Sequence, residues 1–457
     1  MPDQDIKTIS AKTSVVVIGG GLSGLVAGRE LVKAGKDVVV LEAQDEIGGR
    51  LKSITRENGM VLERGGELTG AIQAELQSLA AELGIKTEPI AFFQNFEEGL
   101  KFVSVVEGER IVEPYPMSTD PDGLAAYTAG IEKFDQLTKE IPAEAPWMAP
   151  NARELDQQSL GTWLDANIED AEIRAAMRGG LTVWGDPYEV SMLYVATFHS
   201  RWGGWHAVEG SLDQRFVGGT AQIPRKIAAE LGDRVVLSAP VRKLTHTEFG
   251  VTVQTDRGAI SADAVIFAMA PGQCSKIEFV PALTVARDRL QTRALGNHGA
   301  KFYAIYDTPF WRDEGLAGVV GGLPFMDTWF DASPPDDSEG VLIGFQFASG
   351  PGATARGESF KDDPSIRAAA LADLAISFGP MAASPKEFHY FAWYGSRWSD
   401  GCAMQLPPGV LSTVGHALRE PVGRIFWAGA ESEPIDYMEG AVVSGKRAAA
   451  EAVALIG

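Results

Sequence analysis

The chain has 457 residues, enough for two or three domains. Apolar residues make up 45% and charged residues 22%, which excludes a disordered or collagen-like chain. The net charge of −21 repels phosphate backbones and anionic membrane surfaces, so neither nucleic acid nor a membrane is an expected partner.

In chain order, residues 1–13 are polar without a signal-peptide core, and no 18-residue apolar span follows. Residues 15–18 (VVVI) are a β-branched run suited to a buried parallel strand. Glycines come next, then Leu22, Leu25, Val26, Leu31 and Val32 at near-helical spacing, closed by Gly35. Val38–Leu41 is a second buried strand, which completes a β-α-β unit. Residues 71–83 read as an amphipathic helix stopped by Gly84. Prolines at 114, 116, 121, 142, 146 and 150 mark a loop-rich stretch belonging to another layer. A helix over 222–231 precedes short strands at 235–237, 241–244 and 251–255. Residues 264–268 form a further buried strand, and 331–340 (DASPPDDSEG) read as an exposed loop. The chain closes with a strand at 424–428 and a long alanine-rich helix at 438–455. Cys274 and Cys402 are too few for a disulfide framework and fit a reducing, cytoplasmic setting.

Nucleotide-type elements thus occur in three separated segments. The expected fold is mixed α/β. A Rossmann-like nucleotide-binding domain (12–88, 212–290 and 392–457) is interleaved with a substrate-binding domain (89–211 and 291–391).

Gly19-Gly20-Gly21-Leu22-Ser23-Gly24 satisfies G-x-G-x-x-G between a strand and a helix, where the pattern has physical meaning. Gly19 permits the tight turn, Gly21 lets backbone approach a pyrophosphate, and Gly24 lets helix and strand pack closely. The helix N-terminus offers free N–H groups to the anion. Glu42, 18 positions after Gly24, ends the second strand where a carboxylate can accept ribose hydroxyls. Arg50 has the forked geometry for two phosphate oxygens, and Gly65-Gly66 lets backbone pass close to the same ligand. The fingerprint alone does not separate NAD from FAD.

Ile47-Gly48-Gly49-Arg50, Glu63-Arg64-Gly65-Gly66-Glu67 and the ending Phe426-Trp427-Ala428-Gly429-Ala430-Glu431 … Tyr437-Met438-Glu439-Gly440-Ala441-Val442 resemble the flavin-dependent monoamine oxidase family. Glu189-Val190-Ser191, Arg215-Phe216-Val217-Gly218-Gly219, Pro309-Phe310-Trp311-Arg312, Trp393 and Pro407-Pro408-Gly409 are similar to its other segments, so the likeness covers nearly the whole chain. The resemblance implies FAD and oxidation of an amine to an imine, with O2 reduced to hydrogen peroxide.

It also implies the site. Lys301, which unaided would read as the solvent face of an edge strand, matches the lysine that holds a water against flavin N5. Tyr437 matches one wall of the aromatic cage around the amine, and Trp393 completes the catalytic set. Val241, Gly429, Glu431 and Met438 join Gly19, Gly21, Gly24, Glu42, Arg50, Gly65 and Gly66 on the cofactor side. A helix starting near Met438 would aim its positive end at charge gathering on the flavin N1–C2=O edge, with Gly440 and Ala441 keeping its first turn slim. Leu68 and Ala403 stand where many members carry aromatic residues, which implies a wider, more aliphatic pocket beside Tyr437.

Ser399-Asp400-Gly401-Cys402 resembles the stretch that ties the flavin 8α-methyl to a cysteine in some members. The gap to the prolines is one residue shorter, so Cys402 stands either at the methyl or at the missing cage position. Trp202 and Trp205 are further pocket candidates. Six scattered histidines show no ligand spacing, and no metal is expected. A flavin desaturase acting on a C–C bond and a non-catalytic FAD-binding protein are the alternatives. Lys301 and Tyr437 favour the amine oxidase. The expected partners are a small amine and O2, and a homo-oligomer is compatible with the sequence.

Overall fold

The computed structural model describes residues 11–106, 108–113, 121–181, 184–209, 212–347, 364–394, 396–399, 401–433 and 436–457. The first ten residues, the prolines at 114 and 116, and Asp400 lie outside the described residues.

β1 (Ala11–Ile18), α1 (Leu22–Lys33) and β2 (Val38–Leu41) form the expected β-α-β unit. β1 lies parallel to β2 on one side and to β3 (Gly258–Ala268) on the other. β3 is six residues longer than its apolar run, because its first half pairs antiparallel with Val251–Thr255 across the two-residue turn Asp256-Arg257. Its second half takes the parallel strand Ile425–Ala428, and Val235–Val236 adds to β2. One sheet thus draws strands from the start, middle and end of the chain. The fold is a Rossmann-like layer interleaved with a second layer.

Helix α2 (Ala74–Glu82) starts three residues later than the periodicity suggests. Its first turn is set by Glu439, a distant residue whose carboxylate accepts from the Glu75 and Leu76 N–H groups at 3.0 and 2.8 Å. The proline-marked stretch is not loop-rich among the described residues. Pro121 opens the 18-residue helix Pro121–Thr138, since proline fits a helix's first turn, where its missing N–H costs nothing. That helix packs with α3 (Met192–Trp202) in an apolar core that also takes Met404, Leu406, Val410 and Leu411. Ser191, from the quoted Glu189-Val190-Ser191 segment, caps α3 and donates to Asp156 at 2.6 Å.

The second large sheet places β4 (Ala300–Tyr306) between Gly340–Gln346 and Glu387–Ala392, antiparallel to both. Every residue of β4 is buried, so Lys301 is not on the solvent face of an edge strand. The 331–340 loop is exposed only in its middle. Asp331 is fully buried, accepting from Trp311 Nε1, Arg312 Nε and Asn95 Nδ2 at 2.8–2.9 Å. Composition could not show this, because the three donors come from elsewhere in the chain. The terminal helix α4 (Tyr437–Ile456) crosses α1 so closely that a Cβ on Gly445 would be 3.1 Å from Val26. Among the described residues, no helix is long and apolar enough to cross a membrane.

His199 in α3 illustrates the cost of this burial. Its Nδ1 lies 3.0 Å from the Val195 carbonyl, its ring is edge-on to Phe134 and stacked on Trp205, and burial pushes its pKa down to about 4. The unfolded chain therefore binds this proton first, and stability present above about pH 6.5 is lost as pH falls toward 4. His199→Phe should remove up to about 3 kcal/mol of that acid sensitivity, read from urea unfolding at pH 7 and 4.5. An equally steep loss in the variant would contradict the assignment.

Candidate active site

The turn after β1 separates two reasons for a glycine. Gly19 has φ +114, and a Cβ on Gly19 or Gly24 would run into the backbone oxygen of Ala268 or Gly19, respectively. Folding itself demands those two. Gly21 is different: a Cβ there would meet nothing closer than the Gly49 Cα at 3.9 Å. The turn lies against the second glycine pair, with Gly48 N donating to Gly20 O at 2.9 Å. At the end of β2, Glu42 accepts from Gly20 N at 2.7 Å and Gln44 N at 2.8 Å, so each oxygen keeps a lone pair for a ligand hydroxyl. Burial raises its pKa against those backbone bonds. Val241 is buried in the apolar cluster with Leu41 and Ala239, next to this corner.

Arg50 joins the first segment to the last. Its guanidinium contacts Glu431 at 2.5 Å and donates to the Cys402 carbonyl at 2.7 Å. Glu431 is buried, and among the described residues its Oε2 has no hydrogen-bond partner; that atom lies 3.3 Å from where a Gly429 Cβ would be. Five residues on, Asp436 and Tyr437 adopt successive left-handed conformations, φ +46 and +52, at the head of α4. Each costs on the order of 1–3 kcal/mol, and such strain concentrates at functional sites. The Asp436 carboxylate turns away from the helix and accepts from Tyr194 OH at 2.8 Å, giving no side-chain cap. Burial and the neighbouring Glu431 push its pKa up to about 7, against the Tyr194 bond and Arg50. The Tyr437 ring packs edge-on to Phe198 at 5.1 Å and beside Trp202 at 6.2 Å. Met438 is buried in the first turn, 3.5 Å from where a Gly66 Cβ would be, so the Gly65-Gly66 loop and the head of α4 face each other.

On the other side of that loop lies Lys301. Its Nζ pairs with Glu67 and donates to the Gly65 carbonyl at 3.2 Å. Both side chains are almost wholly buried. Tyr303 OH donates to Glu67 at 3.0 Å, fixing the carboxylate from a second direction. Trp393 donates from Nε1 to the Arg64 carbonyl at 2.8 Å and closes over Gly65.

Arg50, Gly65, Gly66, Trp393, Lys301, Cys402, Glu431 and Met438 are therefore gathered around one junction, with Tyr437 at its edge. Cys402 is half-buried, and burial raises its thiol pKa against the nearby charges of Arg50 and Lys301. The pocket candidates do not share one set of contacts. Tyr437 packs on α3, Ala403 donates to Asn297 Oδ1, and Leu68 packs against the cluster containing Tyr303 and Ile343. Trp202 reaches Tyr437, while Trp205 is a core residue stacked on His199. Glu67 and Asp436 were missed as site residues. The only signal for either was a carboxylate beside a residue already singled out, Gly66 or Tyr437. Among the described residues, no group of three or more metal-ligating side chains gathers.

A Gly-rich turn after a strand, an Arg–Glu pair, a buried lysine and a helix head without a side-chain cap meet around one junction, an arrangement suited to a dinucleotide-type cofactor. Residues 22–453 match the flavin-containing amine oxidoreductases, and the chain belongs to that family. It is 36% identical over 456 residues to the AofH protein of Mycobacterium tuberculosis, which carries the name of a flavin-containing monoamine oxidase, with 97% of each chain covered. Among solved structures it is similar to cyclohexylamine oxidase from Brevibacterium oxydans (TM-score 0.89, 31% identity, 97% of this chain and 99% of that one). Putrescine oxidase bound to putrescine is another (TM-score 0.88, 32% identity, 97% and 100%). The family implies a flavin cofactor, and the described residues fit one: Gly21 has room, and among the described residues Glu431 Oε2 has no partner and the head of α4 no side-chain cap.

The two kinds of glycine should separate experimentally. Gly24→Ala should destabilise the protein by roughly 1–3 kcal/mol, because helix and strand must move apart. Gly21→Ala should leave thermal unfolding of the flavin-free protein within about 0.5 kcal/mol of wild type yet reduce flavin retention after gel filtration. Full flavin retention in Gly21→Ala would show that the turn is not a pyrophosphate cradle.

Proposed function

We propose that the protein is an FAD-dependent amine oxidase for small hydrophobic amines. Bound FAD would supply the two-electron chemistry, taking a hydride from the amine α-carbon at N5 and passing the electrons to O2 to give an imine and hydrogen peroxide. Water then hydrolyses the imine. The reading is carried by Lys301, a buried ammonium held against the Gly65-Gly66 loop that faces the head of α4.

The chain's residues divide the work as follows. Gly19, Gly21 and Gly24 bring the α1 N-terminus to the pyrophosphate, Glu42 takes the ribose hydroxyls, and Val241 packs beside it. Arg50, poised by Glu431, faces the phosphates, and Gly429 keeps that approach narrow. The first N–H groups of α4, at Met438, would hold the pyrimidine side of the flavin and stabilise the negative charge it gains on reduction. Gly65 and Gly66 allow backbone to lie against the ring, with Trp393 behind them. Tyr437, held by Phe198 and Trp202, offers its face to the neutral amine. Leu68 and Ala403 leave the rest of the pocket aliphatic, and Cys402 lies near the ring. Lys301 holds a water and places positive charge where O2 is reduced.

In domain terms, 12–88, 212–290 and 392–457 carry the cofactor and 89–211 and 291–391 the substrate. Met404–Leu411 nonetheless pack their apolar side chains in the helical core of the second half. Two free cysteines suit a reducing, cytoplasmic location.

A peroxide-coupled screen of hydrophobic monoamines, with the diamine putrescine as the comparison, tests the reading. Peroxide with a monoamine is expected. Flavin reduced only by C–C donors would contradict it. Lys301→Met should slow reoxidation of the reduced enzyme by roughly 10²-fold while slowing reduction by amine far less. An unchanged oxidative phase in stopped flow would remove Lys301 from the site.

A further inference from the structure

A cavity of about 490 Å³ with mixed polar and apolar walls opens beside the Lys301 junction. Glu67, Glu63 and Tyr303 form part of its wall, with Arg215, Ile343 and Ser338 further out. The aromatic side, where Tyr437 meets Phe198 and Trp202, contributes none of its lining. Lys301 Nζ pairs with Glu67, and Tyr303 OH bonds both Glu67 and the Glu63 carbonyl. The carboxylate that compensates the buried ammonium therefore stands at a cavity wall.

We propose that Glu67 positions Lys301 and passes it protons from this cavity, so that the oxygen half of the reaction draws its protons from a side other than the Tyr437 wall. The proposal rests on Lys301 lying beside the flavin. Reduction of O2 to hydrogen peroxide takes two electrons from the reduced flavin and two protons. One proton comes with the flavin's own N5–H, and the Lys301 ammonium gives the other. The pair is then a neutral amine beside the Glu67 carboxylate; the carboxylate binds a proton delivered from solvent through the cavity and hands it to the Lys301 amine, which restores the ammonium–carboxylate pair. Glu63, whose carboxyl is raised above its ordinary range mainly by burial and then by the charge of Glu67, faces the same relay. Arg215 stands across the cavity, already paired with Glu88 at 2.9 Å.

The test uses the flavin-loaded enzyme and its variants Glu67→Gln, Glu67→Asp, Ser338→Trp and Lys301→Met. Anaerobic reduction by amine, reoxidation by O2 across pH, and the midpoint potential of the bound flavin are read for each. Glu67→Gln should slow reoxidation about tenfold or more and flatten its pH dependence, with reduction by amine little changed. It should also raise the flavin potential, because a lysine without its counter-charge favours the anionic reduced ring. Glu67→Asp should recover part of the rate. Ser338→Trp, at the exposed rim, should slow reoxidation without moving the potential. If Lys301→Met slows reoxidation while Glu67→Gln changes neither rate, pH profile nor potential, the relay is overturned and the reading of Lys301 stands. If Lys301→Met changes nothing either, both fall.

Discussion

A lysine buried inside a sheet is tolerated only if a counter-charge is buried with it, since an isolated ammonium costs several kcal/mol to take out of water. Here the counter-charge, Glu67, comes from the loop after Gly65-Gly66, while Lys301 belongs to β4. The pair therefore ties the second large sheet to the glycine-rich half at one point. Breaking either partner would leave the other charged and unpaired, so the relative placement of the two halves is held where the ammonium is needed. Arg50 and Glu431 apply the same constraint between the first and last segments.

The head of α4 is the second fixed point. Two successive left-handed residues, Asp436 and Tyr437, are held there by the Tyr194 hydrogen bond and by aromatic packing on α3. The same first turn is anchored by Glu439, which is spent on the N-terminus of α2. Strain on Asp436 and Tyr437 and the buried carboxylate of Glu439 serve the same end, fixing the head of α4 where it faces the Gly65-Gly66 loop. A rigid junction suits chemistry in which the substrate carbon must stay within reach of a planar ring.

Local physics made much of this legible. The β-α-β unit, the helix at Gln222–Leu231 and the strand at Val251–Thr255 follow from short-range patterning; the helix and that strand keep the expected bounds, while β1 starts at Ala11, four residues ahead of its β-branched run. Where long-range partners decide, patterning stops short. Asp331 reads as exposed because its three donors are invisible from its neighbours, and α2 begins where Glu439 reaches it. Pro121 reads as a loop marker until a helix is seen to start on it. At the site, Lys301 needed the family resemblance, since an unaided lysine in a strand points to solvent. Glu67 was visible only as the residue after a glycine pair, and its partner lies 234 positions away.

Amine oxidation across the junction of Lys301, Tyr437 and the head of α4 is tested most directly by anaerobic mixing with a hydrophobic primary amine, protiated or deuterated at its α-carbon. The absorbance of the bound flavin should bleach with the protiated amine, and bleach several-fold more slowly with the deuterated one. A flavin that stays oxidised with every amine, or that bleaches at one rate whatever the isotope, would contradict hydride transfer at this site.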